Sequence, residues 1–251
     1  MTRFLTMLVV AASVSLSAAE ITSLTSAAAQ GPLLEWQKTF EQQSGHTVTF
    51  SFDTVPNLTK RIVTEAGDVL VATSAGVDQA VKEGRANATT RFAIGRIGVG
   101  VAVSRGDAKP DVSTPAALKA ALAKVDKVVV SRGTSGAYVE KMLRQLAPEV
   151  TDKIVFEPSG VHVMARLGNS KNEIGFTMVS EIMHSEAHAG GGNLVAPLPA
   201  GLQNWTPYEA VVLTASKQPD AARQFIRSLG SPAARKIFAA SGWQTPNVSA
   251  Q

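Results

Sequence analysis

Residues 21–52 read ITSLTSAAAQGPLLEWQKTFEQQSGHTVTFSF. Ile21–Leu24 is a short β-rich run and Thr25–Gly31 a loop of hydroxyls and small side chains. Leu33–Gln43 is a helical stretch, with Pro32 suited to its first turn. Thr47–Phe52 then alternates, placing Val48, Phe50 and Phe52 on one face of a strand. Strand, loop, helix, strand is the unit that builds parallel sheets, and it recurs outward from here. Asp68–Ala72 (DVLVA) is a continuous apolar run, as a strand buried on both faces would be. A helix follows near Val77–Glu83, and Ile97–Val103 (IGVGVAV) is a strand whose two glycines point to a bulge or close packing. Helices are predicted at Pro115–Ala123 and Ser135–Leu146 and from Val161. Strands are predicted at Val128–Ser131, Ile154–Phe156, Ile174–Thr177, Leu194–Ala196 and Ala210–Thr214. Asp220–Leu229 and Ala233–Ala240 close the chain as helices, each opened by Pro. The alternation predicts an α/β protein with mainly parallel sheets.

Composition narrows the function. The 251 residues are 45% hydrophobic and 18% charged, which is globular. The formal charge is +4, with no Lys/Arg-rich run, so a nucleic-acid partner is not expected. Cysteine is absent, which removes disulfides, thiolate metal sites and cysteine nucleophiles. Met1–Ala19 carries a basic Arg3, an apolar Phe4–Leu16 and small residues Ser17-Ala18-Ala19. That is the pattern of a secretory signal peptide cleaved after Ala19, and it predicts a soluble periplasmic protein with no stable membrane insertion. The apolar run is short for a membrane span of ~20 residues.

Chemistry concentrates in four loops, each placed after a strand and opening a helix: Thr25-Ser26-Ala27-Ala28, Thr54-Val55-Pro56-Asn57, Arg132-Gly133-Thr134-Ser135-Gly136, and Ser159-Gly160-Val161-His162. Helix N-termini offer unpaired N–H groups and a positive dipole end, which suit anions. Taken singly, each loop reads as helix capping by Ser, Thr or Asn. Taken together, at the carboxyl ends of strands, they read as an anion cradle that needs no metal or cofactor. Arg132 is a candidate clamp, for which Arg132→Ala would weaken binding more than tenfold; a solvated surface Arg is the alternative. Gly136→Val is expected to abolish binding with the fold intact. His162 is a candidate hydrogen-bonding or acid/base group, although a partly exposed loop histidine is the plainer reading. Arg61 reads as a surface residue. His184 and His188 have helical spacing, but Ser185 stands where the zinc-protease pattern needs Glu, and Gly190-Gly191-Gly192 suggests a flexible, exposed segment. No metal site is therefore expected.

The order of the pieces resembles the molybdate-binding superfamily of solute-binding proteins that serve ABC importers. The opening stretch, GDVLVATSAGVDQAVKEG, SRGTSGAYVEKML, GNSKNEIGFTMVSEI and AARQFIRSLGSPAARKIFAASGW carry the likeness. The resemblance implies a two-lobed type 2 fold with two parallel-rich sheets, flanking helices and a two-segment hinge. Lobe one would be Glu20–Ala102 plus Gly201–Gln251, and lobe two Val103–Ala200, with crossings near Val101–Arg105 and Leu198–Leu213. It further implies a monomer that closes on a small anion and works with an ABC-importer permease. By position the oxyanion contacts fall near Thr25, Ser26, Thr54, Val55, Ser135, Val161 and Met178. Molybdate proteins have Tyr where this chain has Met178, and a Ser-rich second loop where it has Thr54-Val55-Pro56. A divergent branch is closer. It shares Arg132–Gly136 with Tyr138, Glu140 and Lys141, then Asn172–Phe176, and then Pro197–Pro199 with Gln203, Asn204, Thr206 and Tyr208. Bacterial aconitate isomerase resembles that branch, which implies a second reading: cofactor-free proton transfer on a tricarboxylate.

Overall fold

The computed structural model describes residues 18–246. The signal-peptide segment Met1–Ala19 lies almost wholly outside them.

The first unit is β1 (Glu20–Ser26), a 3-10 turn at Ala27–Ala29, α1 (Gln30–Ser44) and β2 (Thr47–Asp53). Next come α2 (Val55–Arg61), β3 (Val69–Thr73), α3 (Ser74–Lys82) and the long β4 (Phe92–Val103). A second series follows: α4 (Pro115–Lys124), β5 (Lys127–Ser131), α5 (Thr134–Leu146), β6 (Ile154–Glu157), α6 (Gly160–Asn169) and β7 (Glu173–Met178). The chain ends with α7 (Val179–His188), β8 (Asn193–Pro197), β9 (Trp205–Val212), α8 (Pro219–Ser228) and α9 (Pro232–Ala240).

The strands form one nine-stranded sheet in the order β2-β1-β3-β9-β4-β7-β5-β6, with β8 also paired to β4. The two sheets expected from the sequence are halves of this one, because β4 is long enough to serve both. Its Phe92–Gly98 portion pairs with β9, and its Val99–Val103 portion pairs with β7 and β8. Parallel pairing is confined to the outer strands of each half, β1 with β2 and β3, and β5 with β6 and β7. The close-packing reading of the β4 glycines holds. A Cβ on Gly98 would lie 2.9 Å from the Gln203 amide, and one on Gly100 would lie 2.7 Å from Ile182 Cδ1.

The core follows the apolar runs. Val69–Ala72 and Val128–Val130 have no exposed surface. Each such valine contributes about 1.5–3 kcal/mol relative to an exposed one. On α5, Val139, Met142 and Leu143 are buried, with Leu146 packed at the edge.

One stretch departs from expectation. The residues around His184 and His188 form the regular helix α7, and the glycines after it make a packed turn rather than a flexible loop. Gly191 N–H donates to the Ser185 carbonyl and Gly192 N–H to the Met164 carbonyl, both at 3.2 Å. A Cβ on Gly192 would come within 2.5 Å of Leu167 Cβ. These glycines are there for close approach, not for mobility.

Candidate functional site

Register brings the loops together. Ser26 at the end of β1 pairs with Asp53 at the end of β2, so the chain leaves the sheet at neighbouring points. In the other half Ser131 pairs with Glu157, and Val99 pairs with Met178 at the end of β7. The five exits surround a small cavity of about 30 Å³. Its lining is Ser26, Ala27 and Ala28; Asp53, Thr54 and Val55; Ser131, Gly133, Thr134 and Ser135; Gly160; Met178 and Glu181; and Tyr208 from β9. Among the described residues this lining holds no Lys, Arg or His.

The helix starts at the cavity are unusual in what their caps do not do. Ser26, Thr54, Gly133 and Ser159 stand at N-cap positions without a side-chain capping hydrogen bond. The Ser159 hydroxyl is turned instead to His162 Nδ1, at 2.8 Å. Elsewhere the same residue types do cap. Gly76 N–H donates to Thr73 Oγ1, Ala117 N–H to Thr114 Oγ1 and Ala234 N–H to Ser231 Oγ, at 3.1–3.2 Å. The cavity therefore keeps first-turn N–H groups that a side-chain cap would have consumed.

The sequence-predicted residues divide. Ser26, Thr54, Thr134, Ser135 and Met178 line the cavity. Thr25, Arg132, Gly136, Val161 and His162 do not. Thr25 is fully buried, its hydroxyl 2.8 Å from that of Ser23. Arg132 is exposed, with its guanidinium over the Phe156 ring at 5.0 Å. Gly136 packs under the cradle, where a Cβ would lie 2.6 Å from the Ser131 carbonyl carbon. A Gly136 substitution therefore breaks the local fold rather than sparing it. Val161 and His162, in the first turn of α6, are exposed and not part of the cavity lining.

Two acids at the cavity were missed. Asp53 accepts hydrogen bonds from Thr54 N–H, Asn57 Nδ2 and an Arg61 guanidinium N–H, at 2.7, 2.8 and 3.2 Å. Burial works against its ionised form, but these three donors and the Arg61 charge hold the carboxyl below its usual range. Arg61, read as a surface residue, is thus tied inward through Asp53 and the Ser51 hydroxyl. Glu181 stands at the third position of α7, where its Oε2 accepts from Met178 N–H at 3.2 Å, one half of a capping box. The Thr177 hydroxyl donates to the same oxygen. Burial pushes the Glu181 carboxyl up, against those two hydrogen bonds. Burial also pushes the Tyr208 phenol up; the neighbouring Glu181 charge adds to this and the Ser26 hydroxyl opposes it. A helix-start Glu looks like a cap in any sequence, which is why no signal separated Glu181 from an ordinary N3 residue.

The return motif explains itself structurally. Val99 N–H donates to Gln203 Oε1 at 2.8 Å, and Gln203 Nε2 donates back to the Val99 carbonyl at 3.0 Å. Tyr138 on α5 donates to the Leu202 carbonyl at 2.7 Å. Gln203 and Tyr138 thus fasten the connection between the halves, where β4 changes partners.

Among the described residues no group of three or more acidic or imidazole side chains is placed to hold a metal ion. The His184 and His188 rings, 5.0 Å apart between centroids, line a separate groove beside α1. No helix among the described residues is long and apolar enough to cross a membrane.

Comparison with known proteins adds the lineage. Residues 21–244 match the family model described as bacterial extracellular solute-binding protein. A curated relative, an aconitate isomerase from a Pseudomonas species, is 28% identical over 234 residues, covering 88% of this chain and 86% of that one. The periplasmic molybdate-binding protein of Azotobacter vinelandii superposes with TM-score 0.73 at 19% identity, covering 90% of this chain and all of the other. A sulfate-binding protein of Mycobacterium tuberculosis superposes with TM-score 0.74 at 14% identity, over 92% and 88% of the two chains. At these identities the structural matches establish the fold.

Proposed function

This chain belongs to the bacterial extracellular solute-binding proteins, and from that premise we propose that it is an exported, periplasmic, monomeric receptor. It captures a small anion in the cavity and delivers it to the permease of an ABC importer. The observation that carries this reading is the set of uncapped helix starts converging on one cavity. Hydroxyls and N–H groups there supply neutral donors, which stabilise an anion without introducing a counter-charge. The lobes are proposed as Glu20–Ala102 with Gly201–Gln251, and Val103–Ala200. They hinge through β4 and the return segment that Gln203 fastens to it. A cavity of about 30 Å³ is small for a polyatomic anion, which supports a hinge that opens for entry. The names of the molybdate- and sulfate-binding neighbours support an oxyanion; the curated relative supports a carboxylate.

The second reading is an aconitate-isomerase-type enzyme. It is favoured by that relative and by Glu181, a carboxyl at the cavity that could relay a proton at a substrate carbon without a cofactor.

A thermal-shift screen of residues 20–251 tests both. The panel is molybdate, tungstate, sulfate, phosphate, citrate and the two aconitate isomers. A ligand at a hundred times its Kd stabilises by about 2.7 kcal/mol. A shift with any anion supports the receptor reading, and no shift with the whole panel overturns it. Interconversion of cis- and trans-aconitate would establish the enzyme reading.

A further inference from the structure

An anion site is expected to exclude uncompensated negative charge, yet two carboxyls face this one. Asp53 is compensated by Arg61. Glu181 is not: among the described residues it has no salt-bridge partner. Its Oε2 is occupied by the Thr177 hydroxyl and the Met178 N–H, while Oε1 has no hydrogen-bond partner among the described residues, and the side chain belongs to the cavity lining. Gly160 covers the group so closely that a Cβ there would lie 2.7 Å from the carboxyl carbon. The carboxyl is therefore fixed in place, one oxygen saturated and the other available.

The other titratable and charged groups around it do not change this. Tyr208 on β9 stays neutral, because burial holds its proton on. Asp53 on β2 stays ionised beside Arg61. Among the described residues, Arg166 on α6 is paired with Glu157 and Glu173, His162 is exposed and bonded to Ser159, Arg132 before α5 is exposed over Phe156, and His184 on α7 itself lines the separate groove beside α1. An anion and an ionised Glu181 facing each other with no cation between them repel strongly, and such pairs persist only by sharing a proton.

We propose that Glu181 shares one proton with the bound anion. The cleft then selects anions that bring an O–H donor, such as hydrogen phosphate or a hydroxycarboxylate, over fully deprotonated tetrahedral anions such as sulfate. This rests on the anion-receptor reading above. A ligand with its own O–H donates it to Oε1. A ligand without one binds only when Glu181 has taken a proton from solvent.

The test is calorimetric titration of residues 20–251 with sulfate, inorganic phosphate and citrate, from about pH 6 to about pH 9, on wild type and Glu181→Gln. In the wild type, sulfate affinity should fall about tenfold per pH unit once Glu181 ionises, while phosphate, which keeps one proton at the upper end of this range, should hold its affinity. In Glu181→Gln the amide oxygen keeps the Thr177 and Met178 hydrogen bonds, and the amide N–H₂ stands in permanently for the protonated acid. Sulfate binding should then lose its pH dependence, and citrate binding should weaken more than tenfold. Binding in the wild type with no pH dependence and no preference, left unchanged by Glu181→Gln, would overturn this proposal alone. Failure of all three anions to bind at any pH overturns the receptor reading, and the proposal with it. Without ligand, Glu181→Gln should gain stability over wild type as pH rises through Glu181 ionisation, since a raised acid is stabilising only while protonated; a gap that does not change with pH counts against the proposal. Should the variant not fold, the wild-type sulfate and phosphate series decides.

Discussion

The helix starts at the cavity and those away from it use the same residue types for opposite ends. Thr73, Thr114 and Ser231 fold back to cap α3, α4 and α9. Thr54 and Ser159, equally able, leave α2 and α6 uncapped, and Gly133 leaves α5 uncapped for want of a side chain. α8 shows that a missing local cap is not itself a sign of function. Its lead-in N–H groups, from Lys217 and Gln218, donate to Asp68 at 3.0 and 3.2 Å, so its start is satisfied from another part of the fold. At the cavity the N-cap N–H groups of α2 and α5 are held within their own loops, Thr54 by Asp53 at 2.7 Å and Gly133 by the Ser131 hydroxyl at 3.4 Å, while the first turns of α2, α5 and α6 receive no side-chain cap among the described residues. An N-cap contributes about 1 kcal/mol, so these starts forgo a few kcal/mol of stability. A bound anion would return it.

Substitutions can break or sharpen this contrast. The largest effect is expected where the cradle rests on the sheet. Gly136→Ala drives a Cβ into the Ser131 carbonyl, a backbone group that cannot swing away. It should destabilise the fold by about 3 kcal/mol or more in chemical denaturation, since relief requires α5 to shift off β5. Near-wild-type stability would mean that the loop and the sheet are not rigidly joined.

Next comes a hydroxyl of the cavity. Ser135 is buried, lines the cavity and donates to no protein group among the described residues. Ser135→Ala should weaken anion binding about tenfold, as loss of a hydrogen bond to a charged group does, with stability changed by less than about 0.5 kcal/mol. The matching change at a capped helix reverses the pattern. Thr114→Ala should cost about 1 kcal/mol of stability, read by thermal melting, and leave binding untouched. If both variants lost stability and kept binding, the cavity loops would be ordinary caps.

How much of this was legible beforehand follows the same division. The fold was readable because buried strands announce themselves: DVLVA and IGVGVAV are continuous apolar runs of strand length, and each falls in a strand here. The cavity loops were readable as loops of hydroxyls and glycines after strands. Whether a given hydroxyl caps or waits was not readable, because Thr54 and Thr114 precede their helices in the same way and differ only in where the side chain turns. Glu181 and Asp53 were invisible for a related reason: both hold hydrogen bonds that any helix start could use, and only the sheet register aims them at a shared cavity. The segment around His184 was misread because three consecutive glycines signal flexibility in a sequence, whereas here they let the chain pass between Leu167 and Ser185.

Arg132 gives the smallest expected effect and the most direct contrast with its sequence reading. Directly before the Gly133–Gly136 loop, a guanidinium looks like a clamp for an anion, and its loss would then weaken binding more than tenfold. The structure turns it outward. Its backbone N–H donates to the Glu157 carbonyl at 2.8 Å, and its guanidinium lies over the Phe156 ring, outside the cavity lining. An exposed charge that does not touch the cavity lining acts on a bound anion through solvent, which screens it at physiological salt. Arg132→Ala should therefore weaken anion binding by less than about threefold, and raising the salt should erase even that difference. A tenfold loss that persists at high salt would show that Arg132 swings into the cleft when the ligand arrives, so that the cation absent from the cavity wall is supplied by closure.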